Sequence, residues 1–250
     1  MLNEKIIKDN LIDKSVDIIV KQTTNSTNDD AKEYIGKNTV VIAENQDKGR
    51  GRLNRTFYSP KGKGIYMSML INPNLSISDG VKITTFIAVA VAKSIEKLTN
   101  LTVGIKWVND LYINGKKVCG ILTEAGSDFQ NNKLKYAVCG IGINCYGLDF
   151  PLEISNIATS LEKEGAKVDR NALIAEIINQ TINIEEEILS GNYLAEYKNR
   201  LIMLNKEITV YTGGYEYKAT AVDVTENGGL VVIKNGEKIT VNSGEVSIKL

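Results

Sequence analysis

Residues 102–125 read TVGIKWVNDLYINGKKVCGILTEA, and the Asn114-Gly115 pair near the middle decides how this stretch folds. Asn-Gly is a preferred two-residue turn between antiparallel strands, because both positions of that turn need positive φ. On both sides of this pair, apolar and polar side chains alternate, which is typical of half-buried strands. A further strand-like run, LKYAVCGIGINC, occupies residues 134–145. We therefore predict an antiparallel meander over residues 102–145.

The sequence before the meander predicts three more strands and a buried helix. Residues 16–20, 39–45 and 64–71 are short runs rich in β-branched and apolar side chains, which is typical of strands. Residues 79–98 predict a long helix that is apolar nearly all round at its centre. A helix of that kind is buried on most sides, so we expect it in the core.

Capping and periodicity predict two further helices. Ser26 is expected to cap a helix that has Asp29 at its third position and ends at Gly36. Residues 170–189 repeat apolar side chains at the spacing of one helical face, which predicts a single helix covering the sheet. The repeated side chains are Leu173, Ile174, Ile177, Ile178, Ile182 and Ile188.

The sequence pattern changes after Leu204, where short β-rich runs alternate with glycine-containing turns. This pattern is typical of a small barrel of about five strands. We therefore predict an α+β protein with two domains, a larger one over residues 1–204 and a small β domain over residues 205–250.

Charge and histidine content exclude several classes of function. The 250 residues include 30 basic and 30 acidic side chains, so no overall field would hold the chain on DNA or on an anionic membrane. The sequence contains no histidine. Ser-His-Asp catalysis, Cys-His catalysis and histidine-containing zinc sites are therefore excluded. Any chemistry must use lysine, arginine, carboxylates, amides and backbone groups.

Cysteine placement and hydropathy favour a cytoplasmic protein. Cys119, Cys139 and Cys145 lie in apolar strand-like runs without CxxC spacing, which predicts buried reduced thiols. The longest unbroken apolar run, Phe86–Ala92, is too short to cross a bilayer. No secretory segment follows Met1, because charged residues interrupt the region. We expect neither export nor membrane contact.

The loop GRGRLNRTFYSPKGKG, residues 49–64, carries the strongest local charge in the chain. Glycines let a backbone approach a ligand, and guanidinium groups bind phosphate or carboxylate oxygens in pairs. The loop is therefore a candidate anion-binding cradle, although a solvated basic loop explains the composition equally well. Its cationic residues are Arg50, Arg52, Arg55, Lys61 and Lys63.

The segment Lys106–Asp110 places a cation, an amide and a carboxylate at the start of the predicted hairpin, with Lys117 just beyond the turn. Strand alternation sends Lys106 and Asp110 to one face and Asn109 to the other. Cross-strand ion pairing between lysine and aspartate is the simpler interpretation of this segment, and a polar site is the alternative.

Taken together, five segments resemble one family, the biotin protein ligases (biotin–acetyl-CoA-carboxylase ligases). The resemblance runs through essentially the whole chain in the right order. The chain departs from the common family pattern at Phe57, where tryptophan is frequent, and at Val108, where proline is frequent. The segments are Ser26-Thr27-Asn28, ENQDKGRGRLNRTFYSPKGKGIYMS at 44–68, KWVNDLYINGKKVCGIL at 106–122, GIGIN at 140–144 and GEVSIKL at 244–250.

The resemblance implies a central mixed β-sheet catalytic domain with helices packed on it, followed by a small SH3-like β-barrel. It also implies an enzyme that activates biotin with ATP and Mg²⁺ as biotinyl-5′-AMP. The enzyme would then transfer biotin to a lysine of a biotin carboxyl carrier protein, the expected partner. A carboxylate must become a mixed anhydride before an amine can attack it, so clustered cations suit this chemistry.

Site residues carried over from the resemblance fall into three groups. Biotin and biotinyl-AMP would contact Ser26, Thr27, Asn28, Gln46, Gly49, Arg50, Gly51, Arg52, Lys117 and Gly120. The nucleotide would contact Arg52, Arg55, Phe57, Asn109 and Asn144. The catalytic groups would be Lys117, Arg50 and Asp110, with no protein-held metal.

Two other functions remain open from the residues alone. A lipoate or octanoate ligase would share the fold, although the loop and the 106–122 segment match the biotin branch. An RNA-binding protein could use a basic loop and a small barrel, but zero net charge and 6% aromatic residues count against it.

The family also includes members with an N-terminal DNA-binding domain. Only 25 residues precede Ser26, and they carry no helix-turn-helix pattern. We therefore expect a ligase without operator binding. A side-by-side homodimer through the central sheet is common in the family, and the resemblance allows one here.

Overall fold

A computed structural model describes residues 1–147 and 149–248. Its centre is a seven-stranded sheet in the order β1-β2-β3-β7-β6-β5-β4. β1 and β2 pair in parallel and all other neighbours are antiparallel, which gives the expected mixed sheet. The strands are β1 Asp17–Lys21, β2 Thr39–Ala43, β3 Gly64–Ile71, β4 Gly104–Lys106, β5 Asp110–Ile113, β6 Lys116–Asp128 and β7 Lys133–Asn144.

The predicted meander is confirmed as β4 to β7. Asn114 and Gly115 have φ of 48° and 77°, so both turn positions take the positive φ that a tight hairpin requires. The pairing places Asp110 opposite Gly120 across β5 and β6, and Gly120 opposite Gly142 across β6 and β7. This register sets the residues that share the open face of the sheet.

Six helices accompany the sheet in the described part of the chain. The long helix α3 is buried as predicted, with Ile83, Ile87 and Ile95 fully excluded from solvent. The Thr84 hydroxyl of α3 donates a hydrogen bond of 2.8 Å to the Thr123 hydroxyl of β6, so α3 covers the face to which Thr123 points. The helices are α1 Glu4–Asp9, α2 Thr27–Ala31, α3 Gly80–Thr99, α4 Arg170–Gln180, α5 Ile184–Ser190 and α6 Tyr193–Arg200.

The single helix predicted over residues 170–189 is wrong. The structure has two helices there, α4 and α5, because the chain leaves the helix at Thr181, whose hydroxyl donates to the Ile178 carbonyl at 2.8 Å. This turn exposes Ile182 (40%), although the apolar period placed it on the buried face. Helices α1 and α6 were not predicted.

The helix predicted from Ser26 to Gly36 is shorter than expected. It ends at Ala31 and continues only as a 3₁₀ turn, Lys32–Tyr34, before Gly36 takes φ of 95°. Ser26 occupies the N-cap position, but its side chain makes no capping hydrogen bond, so that detail of the prediction is wrong. The Ser26 carbonyl still accepts from the amides of Asp29 and Asp30.

A second sheet of five antiparallel strands follows, in the order β11-β10-β9-β8-β12. It agrees with the small β domain that was expected. The segment that leads from α6 into this sheet contacts the edge strand β4, where the Ile202 amide donates to the Ile105 carbonyl. The boundary near residue 204 stays a prediction, and Lys249 and Leu250 of the terminal motif lie outside the described residues. The strands are β8 Glu207–Thr212, β9 Tyr215–Val224, β10 Leu230–Lys234, β11 Glu237–Val241 and β12 Glu245–Ser247.

A buried ion pair anchors the base of the basic loop. Arg170 and Glu44 are 6% and 2% exposed, and Nη1 of Arg170 lies 2.8 Å from Oε2 of Glu44. Arg170 also donates to the Gly64 carbonyl, and the Gly62 amide donates to the Glu44 carbonyl. Burial alone would raise the pKa of the Glu44 carboxyl, but hydrogen bonds from Arg170 and from the Leu2 amide lower it below its ordinary value.

Arg170→Met should destabilise the fold by about 3–5 kcal/mol at pH 7, because it leaves a buried carboxylate without its cation. The folded-state pKa of Glu44 is lowered, so the pair stabilises fully above about pH 4.3 and its contribution falls as pH drops through the folded value. Urea unfolding should therefore show a smaller difference from wild type at pH 3.5 than at pH 7. Lys218→Met, which removes the exposed pair with Glu207, is the control and should cost under about 1 kcal/mol. A pH-independent loss would contradict this account.

Candidate active site

The candidate site is a cleft on the face of the central sheet opposite α3. Thr123 of β6 points towards α3, so the flanking positions Leu122 and Glu124 point to the other face. The basic loop and the segment 150–158 form its walls, and Glu245 of β12 closes one end. The cleft therefore draws on both sheets and on two irregular segments.

Glycines make up much of the cleft floor. Gly120 on β6 and Gly140 and Gly142 on β7 all line the cleft, and Gly120 lies directly opposite Gly142. A methyl group on Gly140 would overlap Oδ1 of Asn28, and one on Gly142 would overlap the ring of Phe57. These positions carry no side chain because other groups approach the strands there at closer than ordinary contact distance.

One end of the cleft is lined by hydroxyl and amide groups. Oε1 of Gln46 accepts from the amide of Thr27 at 2.9 Å and from its hydroxyl at 3.1 Å. Nε2 of Gln46 donates to Oγ of Ser59 at 3.1 Å. Ser26 and Thr27, both nearly fully buried, lie with Gln46 in the cleft lining. This cluster, Ser26, Thr27, Asn28 and Gln46, is called the polar end below.

Glu124 fixes the orientation of the Asn28 amide. Nδ2 of Asn28 donates to Oε2 of Glu124 at 2.7 Å, and Oδ1 of Asn28 accepts from the Ser68 hydroxyl at 2.6 Å. A carboxylate only accepts hydrogen bonds, so the Asn28 nitrogen must face Glu124 and the oxygen must face Ser68. Sequence reasoning missed Glu124 and Ser68, since neither belongs to a polar cluster along the chain.

The loop arginines extend into the cleft and hold acidic or carbonyl groups. Nη2 of Arg50 lies 2.5 Å from Oδ1 of Asp29, and Nη2 of Arg55 lies 2.5 Å from Oε2 of Glu245. Arg52 donates to Oδ1 of Asn109 at 3.0 Å and to the Gly244 carbonyl at 2.7 Å. The guanidinium groups are thus gathered in one place but satisfied by protein oxygens.

Part of the predicted cradle lies elsewhere. Lys61 and Lys63 are exposed and do not line the cleft. Gly49 does not line it either: it packs beneath the Phe57 carbonyl and the Ser59 hydroxyl, each 2.6 Å from the position that a β-carbon would take. The anion-binding interpretation therefore applies to the arginines and not to these two lysines.

The remaining predicted site residues line the cleft. Nζ of Lys117 lies 2.7 Å from Oδ1 of Asp110, which is the cross-strand ion pair considered from the sequence. Asn109 donates from Nδ2 to the Ile121 carbonyl at 2.7 Å, and Asn144 donates from Nδ2 to the Thr159 carbonyl at 3.0 Å. Gly51 and Phe57 complete the set on the loop side.

Lys106 is a further cation in the cleft lining. It is half-buried on β4, directly opposite Asp110, and its Nζ lies 5.8 Å from the centre of the Tyr112 ring. Burial lowers the pKa of the Lys106 ammonium, although the Asp110 carboxylate opposes that shift. The sequence drew attention to Lys106 without assigning it to the site.

The wall formed by residues 150–158 was not predicted. Phe150, Ile154, Ile157 and Ala158 line the cleft, and the Lys117 amide donates to the Ile157 carbonyl at 2.8 Å. The segment forms turns and has no helical or strand periodicity, so the sequence carried no pattern that would have revealed it.

All three cysteines are buried, as expected. Burial raises the pKa of the Cys139 and Cys145 thiols to about 12 and raises that of Cys119 further. No disulfide joins them. These thiols are therefore unreactive parts of the core.

Two kinds of feature are absent from residues 1–147 and 149–248. They contain no group of three or more histidine, cysteine, aspartate or glutamate side chains that could hold a metal ion. No helix among them is both long enough and apolar enough to cross a bilayer.

Comparison with known proteins identifies the family. The model of the biotin/lipoate A/B protein ligase family matches residues 17–144, just over half of the chain. This chain belongs to that family. A second model, the biotin protein ligase C terminal domain, matches residues 203–249 and so agrees with the small second sheet.

The relatives include ligases of several bacteria. The bifunctional ligase/repressor BirA of Bacillus subtilis (strain 168) is 38% identical over 168 residues, which are 64% of this chain and 51% of that protein. The BirA protein of Escherichia coli (strain K12) is 27% identical over 256 residues, 100% of this chain and 78% of that protein. The matched part of this chain thus spans about half the length of the Bacillus relatives.

A solved structure has the same fold over nearly the whole chain. Biotin protein ligase from Aquifex aeolicus, in complex with biotin and ATP, superposes with a TM-score of 0.79 at 27% identity. The match covers 92% of this chain and 97% of that one. The expected α+β fold, with a mixed central sheet and a small second β domain, is thereby confirmed.

Gly140→Ala should destabilise the protein by roughly 1–3 kcal/mol, because the added methyl group displaces Asn28 from its bonds to Ser68 and Glu124. Urea unfolding measures the loss. Gly80→Ala at the start of α3 is the control: nothing lies near its added methyl group, and φ is an ordinary −55°. An unchanged midpoint for Gly140→Ala would show that the floor tolerates side chains.

Proposed function

We propose that this protein is an ATP-dependent biotin–protein ligase. It would form biotinyl-5′-AMP and diphosphate from biotin and ATP, and then transfer biotin to a lysine of a biotin carboxyl carrier protein. The observation that carries the proposal is the layout of one cleft: a polar end, a glycine floor and a group of cations from the basic loop and the hairpin. The Aquifex relative, whose structure contains biotin and ATP, supports it.

The polar end suits the ureido ring of biotin. That ring has N–H donors and a carbonyl acceptor, and small ligands are recognised by a few placed polar groups in an otherwise apolar site. Ser26, Thr27, Asn28 and Gln46 offer hydroxyls and amides of both polarities. The glycine floor and the side chain of Leu122 would hold the apolar part of biotin.

Arg50 and Lys117 suit the activation step. A carboxylate oxygen of biotin forms a bond to the α-phosphorus of ATP, and the bond from that phosphorus to the α,β-bridging oxygen breaks. The diphosphate leaves with the electron pair. Cations arranged around the α-phosphate stabilise the charge of this transition state. Arg50 and Lys117 would leave Asp29 and Asp110 to meet the ligand, exchanging one anion for another.

Five further residues of the cleft would bind the nucleotide. Arg52 and Arg55 reach the end of the cleft nearest the second sheet, where they now hold Gly244 and Glu245. Asn109 and Asn144 line the same space, and Phe57 offers an aromatic face for the adenine or the tail of biotin. We assign these five residues to the nucleotide on position and chemistry.

The cleft residues fit a Mg²⁺ ion that arrives with ATP. Mg²⁺ at phosphate sites takes one or two carboxylates and completes its shell with phosphate oxygens and water. Asp110 and Glu245 are the carboxylates that reach the cleft lining from β5 and β12, and Asp110 would hold the ion. When bound, the ion would neutralise charge on the phosphate oxygens.

The transfer step needs a proton acceptor but no histidine. The acceptor lysine amine attacks the acyl carbon of biotinyl-AMP, AMP leaves with the electron pair of the broken C–O bond, and the amine loses a proton. Its ordinary pKa of about 10.4 keeps it mostly protonated at pH 7. Asp110, the departing phosphate and water are the available acceptors. Reduced buried thiols suit a cytoplasmic setting for this reaction.

The decisive experiment is ATP–diphosphate exchange with biotin as the only added acid. Exchange that depends on biotin, followed by isolation of protein-bound biotinyl-AMP, supports the proposal. Exchange with lipoate or octanoate instead would identify the related ligase activity. Salt-dependent RNA binding without any acid-dependent exchange would support the nucleic-acid alternative.

Lys117→Met should lower kcat for biotin-dependent exchange roughly 100-fold or more, because one preorganised charge at the reacting phosphate is lost. Lys116→Met is the matched control, since Lys116 is the exposed neighbour on the same hairpin. Steady-state exchange rates measure both. Equal rates for Lys117→Met and wild type would remove Lys117 from the catalytic group.

We also expect the loop of residues 47–64 to become protected when biotin and ATP are both bound. Its arginines now hold carboxylates that are partly exposed, so ligand phosphates can replace them and tie the loop over the cleft. Hydrogen exchange of the loop amides, with and without ligands, measures this. Identical exchange in both states would contradict loop closure.

A further inference from the structure

The cations of the cleft differ in one respect: whether the protein supplies a partner. Arg50, Arg55 and Lys117 each contact a carboxylate within 4.0 Å, and Arg52 holds an amide and a carbonyl oxygen. Among residues 1–147 and 149–248, Lys106 forms no hydrogen bond and no ion pair within 4.0 Å: its Nζ lies 5.8 Å from the centre of the Tyr112 ring, and the Asp110 and Glu245 carboxylates act on it at longer range. A partly buried ammonium group gains less from carboxylates at longer range than from one in direct contact, so the N–H donors of Lys106 suit an anionic ligand.

The register of the sheet shows where such an anion would lie. The polar end stands over β3 and β7, where Ser68 lies opposite Gly140. Lys117 belongs to β6, Asp110 to β5 and Lys106 to the edge strand β4. Neighbouring strands are about 4.8 Å apart, so Lys106 lies about 10 Å beyond β6, on the side away from the polar end.

The geometry of phosphoryl transfer indicates which group would lie near Lys106. In phosphoryl transfer the attacking and leaving oxygens lie roughly in line on opposite sides of the phosphorus. If biotin enters with its ring at the polar end, its carboxylate reaches the α-phosphate beside Arg50 and Lys117. The diphosphate must then depart away from β7, towards β5 and β4.

We propose that Lys106 binds the β- and γ-phosphates of ATP and the diphosphate that leaves. This inference rests on the proposed function and extends it to the leaving group. Lys106 contributes a charge to a group that departs before the transfer step. It should therefore affect activation and its reversal while leaving biotin binding and the transfer step unchanged.

The test compares Lys106→Met, Lys106→Arg and the control Lys116→Met. In ATP–diphosphate exchange, Lys106→Met should raise the KM for diphosphate and for ATP roughly tenfold to a hundredfold, the effect of one charge-assisted hydrogen bond. Lys106→Arg should restore much of the loss because it keeps the charge. The Kd for biotin, and the rate of transfer from purified biotinyl-AMP to the acceptor, should stay at wild-type values.

Two results would overturn the inference while the proposed function stands. One is a wild-type KM for diphosphate in Lys106→Met, and the other is an equal loss in the transfer from purified biotinyl-AMP. The proposed function itself fails if the wild-type protein shows no exchange that depends on biotin. The two failures are therefore distinguishable.

A second measurement needs no variant, which matters if Lys106→Met does not fold. Acetic anhydride labels accessible amines, and mass spectrometry of the wild-type protein reports each lysine separately. Inorganic diphosphate with Mg²⁺ should protect Lys106 several-fold and leave Lys116 unprotected. Equal labelling of Lys106 with and without diphosphate would overturn the inference whatever the variants do.

Discussion

The cleft exists because three positions on two adjacent strands carry no side chain. On most sheet faces the side chains form a continuous layer, and this layer fills the space that a ligand would need. Gly120, Gly140 and Gly142 remove that layer, and Asn28 and Phe57 descend into the space from α2 and the loop. The rest of the site is arranged around this opening: the polar groups reach it from one side and the cations from the other.

Most cations of the cleft are paired with carboxylates, and an anionic ligand can take the place of the carboxylate. Guanidinium and ammonium groups that lie close together repel one another, and the carboxylates of Asp29, Glu124, Asp110 and Glu245 offset that repulsion. Most of these carboxylates are partly exposed, so releasing a cation from them costs little. The buried Glu44–Arg170 pair behaves differently: its separation is costly, which keeps the base of the loop fixed while the tip can exchange partners.

Sequence reasoning succeeded where a local rule decides the structure. The Asn-Gly turn, the alternation in the meander and the apolar α3 each follow from a few neighbouring residues. It failed where tertiary contacts decide the structure. The helix break at Thr181, the position of Lys61 and Lys63 outside the cleft, and the wall at 150–158 have no hydrophobic period in the sequence that would predict them. Glu124 belongs to the same group, because its role depends on Asn28, 96 residues away in the chain.

The basic loop also connects the two sheets. Arg52 holds the Gly244 carbonyl and Arg55 holds Glu245, both at β12 of the second sheet, while Arg50 holds Asp29 at α2 of the first. One loop thus bridges the polar end and the second sheet through side chains that also face the cleft. Each guanidinium has five N–H donors and these contacts use only some of them, so an anion in the cleft could bind Arg52 and Arg55 while they still hold Gly244 and Glu245. Occupancy of the cleft and the contacts to the second sheet therefore depend on the same side chains, and an anion can add to those contacts without breaking them.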